Sequence, residues 1–206
     1  MITRERAESR AALRALKNPL YDTGHILAAA PTNRVNFFQA PQGNPIVAAG
    51  ALKTEADTNL TQAGQLGRPQ EFDLYGFQLE IFNTNCDDIP NTFADLLLVY
   101  DTGVFEFFFG QQRPWLQLPV EEIPNGPAFE GCYATADNAA TTGAAFLKSG
   151  EGAADAYYNF TIGKKPIPIA SAENFSARLD WPSGAPTTTN LYRATCYMKG
   201  ILYAAL

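Results

Sequence analysis

Phe72-Asp-Leu-Tyr-Gly-Phe-Gln-Leu-Glu-Ile-Phe82 decides the fold class. Phe72, Leu74, Gly76, Gln78 and Glu80 alternate with Asp73, Tyr75, Phe77, Leu79 and Ile81. The second set is apolar from Tyr75 onward. A two-residue period of this kind belongs to an extended strand with one face against a core.

Working outward from this stretch, strand signals dominate the C-terminal side. Residues 84–92 are polar and read as a loop, with Asn83-Thr-Asn-Cys-Asp-Asp-Ile-Pro at its heart. Residues 96–100, Leu-Leu-Leu-Val-Tyr, predict a strand buried on both faces. Asp101-Thr102-Gly103 then predicts a tight hairpin turn into a return strand at 104–109. Further strands are expected at 115–120, 129–134, 144–147, 157–162, 175–181 and 191–202. That makes about eight or nine strands with no helical pattern after residue 20, which suits a sandwich or a barrel. The fold class expected is all-β, a single jelly-roll antiparallel β-sandwich over 70–206.

On the N-terminal side the pattern changes. Residues 3–18 are rich in Ala, Leu, Arg and Glu, which favour helix. Leu13, Leu16 and Leu20 space an apolar stripe, and Arg10, Arg14 and Lys17 a basic one beside it. Asn18-Pro19 is expected to end this helix. Residues 1–20 are therefore read as a basic amphipathic helix. Residues 21–69 are read as an extended arm, broken by Pro31, Pro41, Pro45 and Pro69, that packs across its own sandwich or a neighbouring subunit. Two apolar segments in it, 35–38 and 46–52, are candidates for edge strands.

Composition bounds the class further. Of the 206 residues 46% are hydrophobic and only 17% charged, which favours surface hidden against other copies of the chain. Residues 1–20 carry a net +3 in a chain of net −6, leaving −9 on residues 21–206. A basic arm on an acidic body points to an anionic partner for the arm, and argues against nucleic acid lying on the main sandwich surface. No apolar run reaches the roughly 18–20 residues of a membrane span, and the N-terminus lacks the apolar core of a secretory signal. Cys86, Cys132 and Cys196 form no C-x-x-C pair and read as neutral thiols in a reducing compartment.

A catalytic constellation is not evident. His25, the single histidine, has no supporting nucleophile motif around it. Asp87-Asp88 lacks the spaced pattern of a calcium loop. Glu121-Glu122 would diverge to opposite faces if it lay on a strand. Lys164-Lys165 is too short for a polyanion site, and the Asn-x-Ser/Thr triplets at Asn59, Asn159 and Asn174 are common by chance. Trp115 and Trp181 are candidates for a sugar-stacking platform or for core and interface packing. No catalytic residue, cofactor or metal is expected.

The order of parts resembles the small jelly-roll coat proteins of tailless icosahedral bacteriophages. The likeness spans most of residues 33–206. It rests on Asp57-Thr58-Asn59-Leu60 and Gly64-Gln65-Leu66 in the arm, the strand 72–82, Phe175-Ser-Ala-Arg-Leu-Asp-Trp181-Pro, and Tyr197-Met-Lys-Gly-Ile-Leu-Tyr203 near the end. The resemblance implies a structural, non-enzymatic subunit that self-assembles, as a trimer or higher homo-oligomer, into an icosahedral shell with other capsid proteins. It implies a virion location, with assembly in the host cytoplasm. The chain is short for a double jelly roll, so a single one is implied. Arg10, Arg14 and Lys17 are expected to touch internal membrane lipid or packaged genome. The alternative is a phage spike or lectin-like carbohydrate-binding sandwich. A cupin-type enzyme, which gathers histidines around a metal, fits poorly with a single His.

Overall fold

A computed structural model describes residues 10, 13–28, 31–46, 50–83, 89–110, 113–124, 129–138, 141–151, 157–159 and 165–205, with only the backbone for 89–93, 129–138 and 141–151. These residues are mostly strand. Among the described residues two antiparallel sheets pack face to face, accompanied by the α-helix 89–102 and a separate hairpin.

The first sheet is built on a pair of long strands, β4 (Glu71–Asn83) and β12 (Tyr192–Ala204). On the far side of β12 lie β1 (Arg14–Leu16) and β2 (Leu20–Ile26). On the far side of β4 lie β9 (Tyr158–Asn159) and β10 (Ile167–Ile169). The second sheet runs β3 (Arg34–Phe37), β11 (Phe175–Asp180), β5 (Val104–Phe109), β6 (Leu116–Pro119). Among the described residues β7 (Phe129–Asn138) and β8 (Thr141–Glu151) pair only with each other.

The core lies between the sheets. Phe77 of β4 meets Phe105 and Phe107 of β5 at ring-centroid distances of 5.0 and 4.8 Å, and all three are fully buried. Tilted aromatic contacts of this kind add about 0.5–1.5 kcal/mol beyond the area they bury. The two-residue period of β4 holds, with one change of phase. Phe72 and Leu74 point inward, and so do Phe77, Leu79 and Ile81. The register shifts where Lys199 and Gly200 face Gly76 and Leu74, so Tyr75 is the extra residue of a β-bulge.

The helix α1 (Ile89–Thr102) corrects the expected strand at 96–100 and the expected hairpin turn at Asp101-Thr102-Gly103. Asp95, Leu96, Val99 and Tyr100 turn inward, whereas Leu97 and Leu98 are 56% and 37% exposed. That is a helical face. A short apolar run does not distinguish the two periods; here Pro90 suits a helical first turn. Tertiary contacts hold the helix. Asp95 Oδ2 accepts hydrogen bonds from the Thr189 and Asn190 amides and the Tyr192 hydroxyl at 2.8, 3.2 and 3.0 Å. Trp181 Nε1 donates to the Val99 carbonyl at 3.1 Å. β5 starts directly under the last turn because Gly103 has no side chain; a Cβ there would sit 2.6 Å from the Val99 carbonyl oxygen.

The N-terminal region also differs from expectation. Arg10 has helical backbone, but Arg14–Leu16 is a strand paired with Leu202–Ala204, so the helix expected over 3–18 does not extend through 14–16. Sheet pairing overrides the local preference there. Residues 1–9 and 11–12 lie outside the described residues. The segment 21–69 is woven into the fold rather than laid across it. β2 pairs along half of β12 and β3 edges the second sheet, although most of the described strands, β4 to β12, do lie after residue 70 as expected. Residues 47–49 of the expected segment 46–52 lie outside the described residues; among the described ones a single bridge forms, Pro45 to Leu52.

Replacing Phe77 by Ala removes the ring that joins the two sheets and is expected to cost about 3–5 kcal/mol. Leu97→Ala, on the exposed face of α1, is expected to cost no more than about 0.5 kcal/mol. Urea titration checks both, through a shift in midpoint at unchanged slope.

Candidate functional site

The outward face of the first sheet carries most of the sequence-derived candidates. Successive outward residues on β12 are Arg193, Thr195, Tyr197, Lys199, Ile201 and Tyr203. Opposite them β2 presents Tyr21, Thr23 and His25, and β4 presents Glu71, Asp73, Gln78 and Glu80. The Thr23 and Thr195 hydroxyls hydrogen-bond at 3.0 Å, and the Tyr197 hydroxyl donates to Glu80 at 3.1 Å. Burial and the Glu80 carboxylate raise the Tyr197 phenol above its ordinary range.

The three basic residues of the N-terminal segment have different surroundings. The Arg10 guanidinium donates to both Asp73 oxygens at 2.7 and 2.8 Å and to Glu71 at 2.8 Å, and it sits 3.9 Å over the Tyr203 ring. Its pKa is raised, chiefly by the Asp73 hydrogen bonds, and its side chain is 9% exposed. Arg10 is therefore paired to the acidic body of its own chain. Arg14 and Lys17 are exposed.

Lys17 lines a groove of about 650 Å³ together with Lys199, Tyr75, Tyr157, Gly200 and Ile201. The bulge shapes this groove. A Cβ on Gly76 would collide with the Tyr158 carbonyl and the Tyr157 ring, and one on Gly200 with the Asp73 carbonyl and the Phe72 ring. Glycine at both positions lets the strands and the 157–158 segment close up, and the bulge turns Tyr75 outward. The sequence reading missed Tyr75, Tyr157 and Lys199. The signal available was a glycine inside each of two strand patterns, which marks bulges and close backbone approach.

A second polar centre holds the chain between β2 and β4. Asp22 is fully buried and accepts from Lys53 Nζ at 2.6 Å and from the Phe38 amide at 2.6 Å. Burial pushes its carboxyl up from the ordinary aspartate value, while the Lys53 ammonium and the Phe38 N–H pull it back. Lys53 is itself only 5% exposed. Beside it, His25 is half-buried, its Nδ1 has no hydrogen-bond partner among the described residues, and its pKa is lowered by burial and by Arg193.

The remaining sequence candidates are dispersed. Glu121 and Glu122 are exposed on a 3-10 turn (Val120–Glu122) rather than on a strand. Trp181 is fully buried and Trp115 is 50% exposed against Phe107, so the two rings do not make one sugar platform. Asn59 hydrogen-bonds the backbone of Tyr21 and Pro19. The Cys196 thiol is buried and its pKa is pushed up by burial. Cys86, Asp87, Asp88 and Lys164 lie outside the described residues, as does the side chain of Cys132. Among the described residues, no three His, Cys, Asp or Glu gather as metal ligands, and no helix is long and apolar enough to cross a membrane.

Comparison with models of protein families, with curated proteins and with solved structures gave no match.

Lys53→Met leaves Asp22 buried without its cation and is expected to cost about 3–5 kcal/mol at neutral pH. The sign with pH follows from Asp22. Its folded-state pKa rises further in the variant, so the penalty grows as pH rises above the unfolded value near 3.8 and fades as pH falls below it. Urea titrations of both proteins at neutral pH and near pH 4 check this; a deficit that widens toward acid contradicts the assignment.

Proposed function

We propose that the chain is a single jelly-roll subunit that self-assembles into an icosahedral shell. The observation that carries this is a nested order of strand pairing. β5 pairs with β6, β4 with β10, β3 with β11, and β2 with β12. A long antiparallel hairpin rolled upon itself produces this order. It places β2, β12, β4 and β10 in one sheet and β3, β11, β5 and β6 in the other. Jelly rolls serve viral capsids, lectins and cupins, so the site must choose among them. The single His25 disfavours a cupin metal centre. The separation of Trp115 from buried Trp181 removes the platform suggested for a sugar-binding module.

Two features favour a surface covered by other copies. Charged residues are scarce at 17%, and Leu52, Leu97 and Trp115 are each at least half exposed. In this reading the subunit resides in the virion after assembly in the host cytoplasm, beside other capsid proteins. Arg14 and Lys17 are the outward-facing part of the basic segment and meet an anionic partner, lipid headgroups or packaged genome.

Sedimentation velocity on the full chain is expected to give a trimer or larger assembly, and negative-stain microscopy of native material to show closed shells. A stable monomer at high concentration contradicts the proposal.

A further inference from the structure

Side chains of β2 and β12 clasp the turn 54–57 to the outward face of the first sheet. The turn first closes on itself, since the Asp57 carboxylate accepts from the Thr54 amide and hydroxyl, both at 2.9 Å. Arg193 of β12 then reaches it, donating to the Ala56 carbonyl at 2.6 Å and pairing with Asp57 at 3.2 Å. The Tyr21 hydroxyl of β2 donates to the Glu55 carbonyl.

His25 stands directly opposite Arg193 in the β2–β12 register, on the same face. This facing pair holds two buried polar atoms, His25 Nδ1 and Arg193 Nε, that have no hydrogen-bond partner among the described residues. The two atoms are complementary while the imidazole is neutral. Arg193 Nε–H is a donor, and Nδ1 is an acceptor when the ring proton sits on Nε2. Once His25 is protonated, Nδ1 is a second donor facing the first. The other charged groups around His25 come from the connection after β3 and from β3 itself. Lys53 and Asp57 act on it from the connection, and Arg34 of β3 lines the same pocket. Asp57 is the acid in this set, and Arg193 and Thr54 already hold it. Like charges directly opposite one another across a ladder are destabilising.

We propose that protonation of His25 opens this clasp and releases the turn 54–57 from the sheet. An imidazolium opposite Arg193 competes with it for Asp57 and sets two cations on facing positions. The turn is the part that yields, because Thr54, Glu55 and Ala56 are exposed and water can take over their hydrogen bonds. β2 and β12 stay in their ladder. Lys53 adjoins the turn, so release also slackens the connection that Asp22 holds. The clasp works within one chain and stands apart from the assembly proposed above. A histidine that changes charge near neutrality is a common element of pH-driven rearrangements.

Burial and Arg193 hold the His25 pKa below its ordinary 6.5. The neutral form therefore favours the closed clasp. Its contribution is present above 6.5 and is lost as pH falls from there through the folded value. Burial alone would raise the Asp57 carboxyl, but the Thr54 hydrogen bonds and Arg193 hold it below the ordinary aspartate value, so it stays ionised across that window.

His25 is the single histidine of the chain, so its Cε1–H resonance reports one titration. NMR of the full chain with labelled histidine, from about pH 7.5 to 5, is expected to give a midpoint below 6.5. Hydrogen-exchange mass spectrometry, corrected for intrinsic rates, is expected to show opening at 54–59 increasing over the same range. The increase is expected to be at most about tenfold per pH unit, the limit for one proton. In His25→Gln, opening is expected to change by less than about twofold across the range. Arg193→Gln removes the opposing cation and frees Asp57, and is expected to raise the His25 midpoint. A midpoint at or above 6.5 overturns the proposal. So does exchange at 54–59 that stays constant through the titration, or a midpoint that Arg193→Gln leaves in place. Opening that follows pH equally in a folded His25→Gln assigns the sensitivity to another group and overturns it too. Should His25→Gln fail to fold, the titration and exchange of the unaltered chain decide the matter.

Discussion

The antiparallel ladder between β4 and β12 is the constraint on which the rest of the first sheet depends. It runs from Asn83 opposite Tyr192 to Glu71 opposite Tyr203. Every other strand of that sheet adds to one of its two free edges. The ladder joins residues more than a hundred positions apart in sequence, so its closure entropy is met only when the intervening strands also find partners. Loop closure costs grow slowly with length, and the phenylalanine stack formed by β4 and β5 offsets them. The second sheet is therefore tied to the first through Phe77, Phe105 and Phe107 as much as through chain connectivity.

Buried or half-buried carboxylates complete what the ladders leave open. Asp22 gathers Lys53 and the Phe38 amide, drawing the long connection between β3 and β4 onto β2. Asp95 gathers Thr189, Asn190 and Tyr192, fixing α1 to the entry of β12. Asp73 and Glu71 gather Arg10. Each acid joins segments far apart in sequence that make no continuous ladder. An ion pair such as Asp22–Lys53 contributes little net stability over a well-packed apolar pair. Its directional contacts instead select one path for a loop whose own sequence permits several.

How much of this was legible depends on where the deciding forces lie. Alternating apolar residues announced β4, β5, β11 and β12, because half-buried strands carry their burial pattern in their own sequence. The leucines at 96–98 announced nothing decisive. Two of them face solvent, and the helix is settled by Asp95, Val99 and Trp181, whose partners lie more than eighty residues away. Arg14–Leu16 illustrates the same limit in reverse, since good helix formers there adopt the geometry of the β12 edge. At the site, Arg14 and Lys17 are exposed, but the stripe that grouped them with Arg10 assumed a helix that does not run through 14–16. The capture of Arg10 required knowing that Glu71 and Asp73 stand side by side on an outward face two residues apart.

The charge distribution then bears on what an acidic chain presents at short range. The net −9 of residues 21–206 suggests repulsion of any polyanion from the body. Net charge acts at long range, however, and salt screens exposed charges beyond about 8–10 Å. Within that distance the sign is set by neighbours. Several acids already have cations against them: Asp22 has Lys53, Asp73 has Arg10, Asp180 has Arg34, Asp57 has Arg193, and Glu106 has Arg178. Pairing of this kind leaves short-range dipoles in place of open negative charge. Lys17 and Lys199 line one groove, and the Lys199 ammonium lies 5.1 Å over the Tyr197 ring. Glu71 and Asp73 fasten Arg10 to the sheet, whereas Arg14 and Lys17 are exposed.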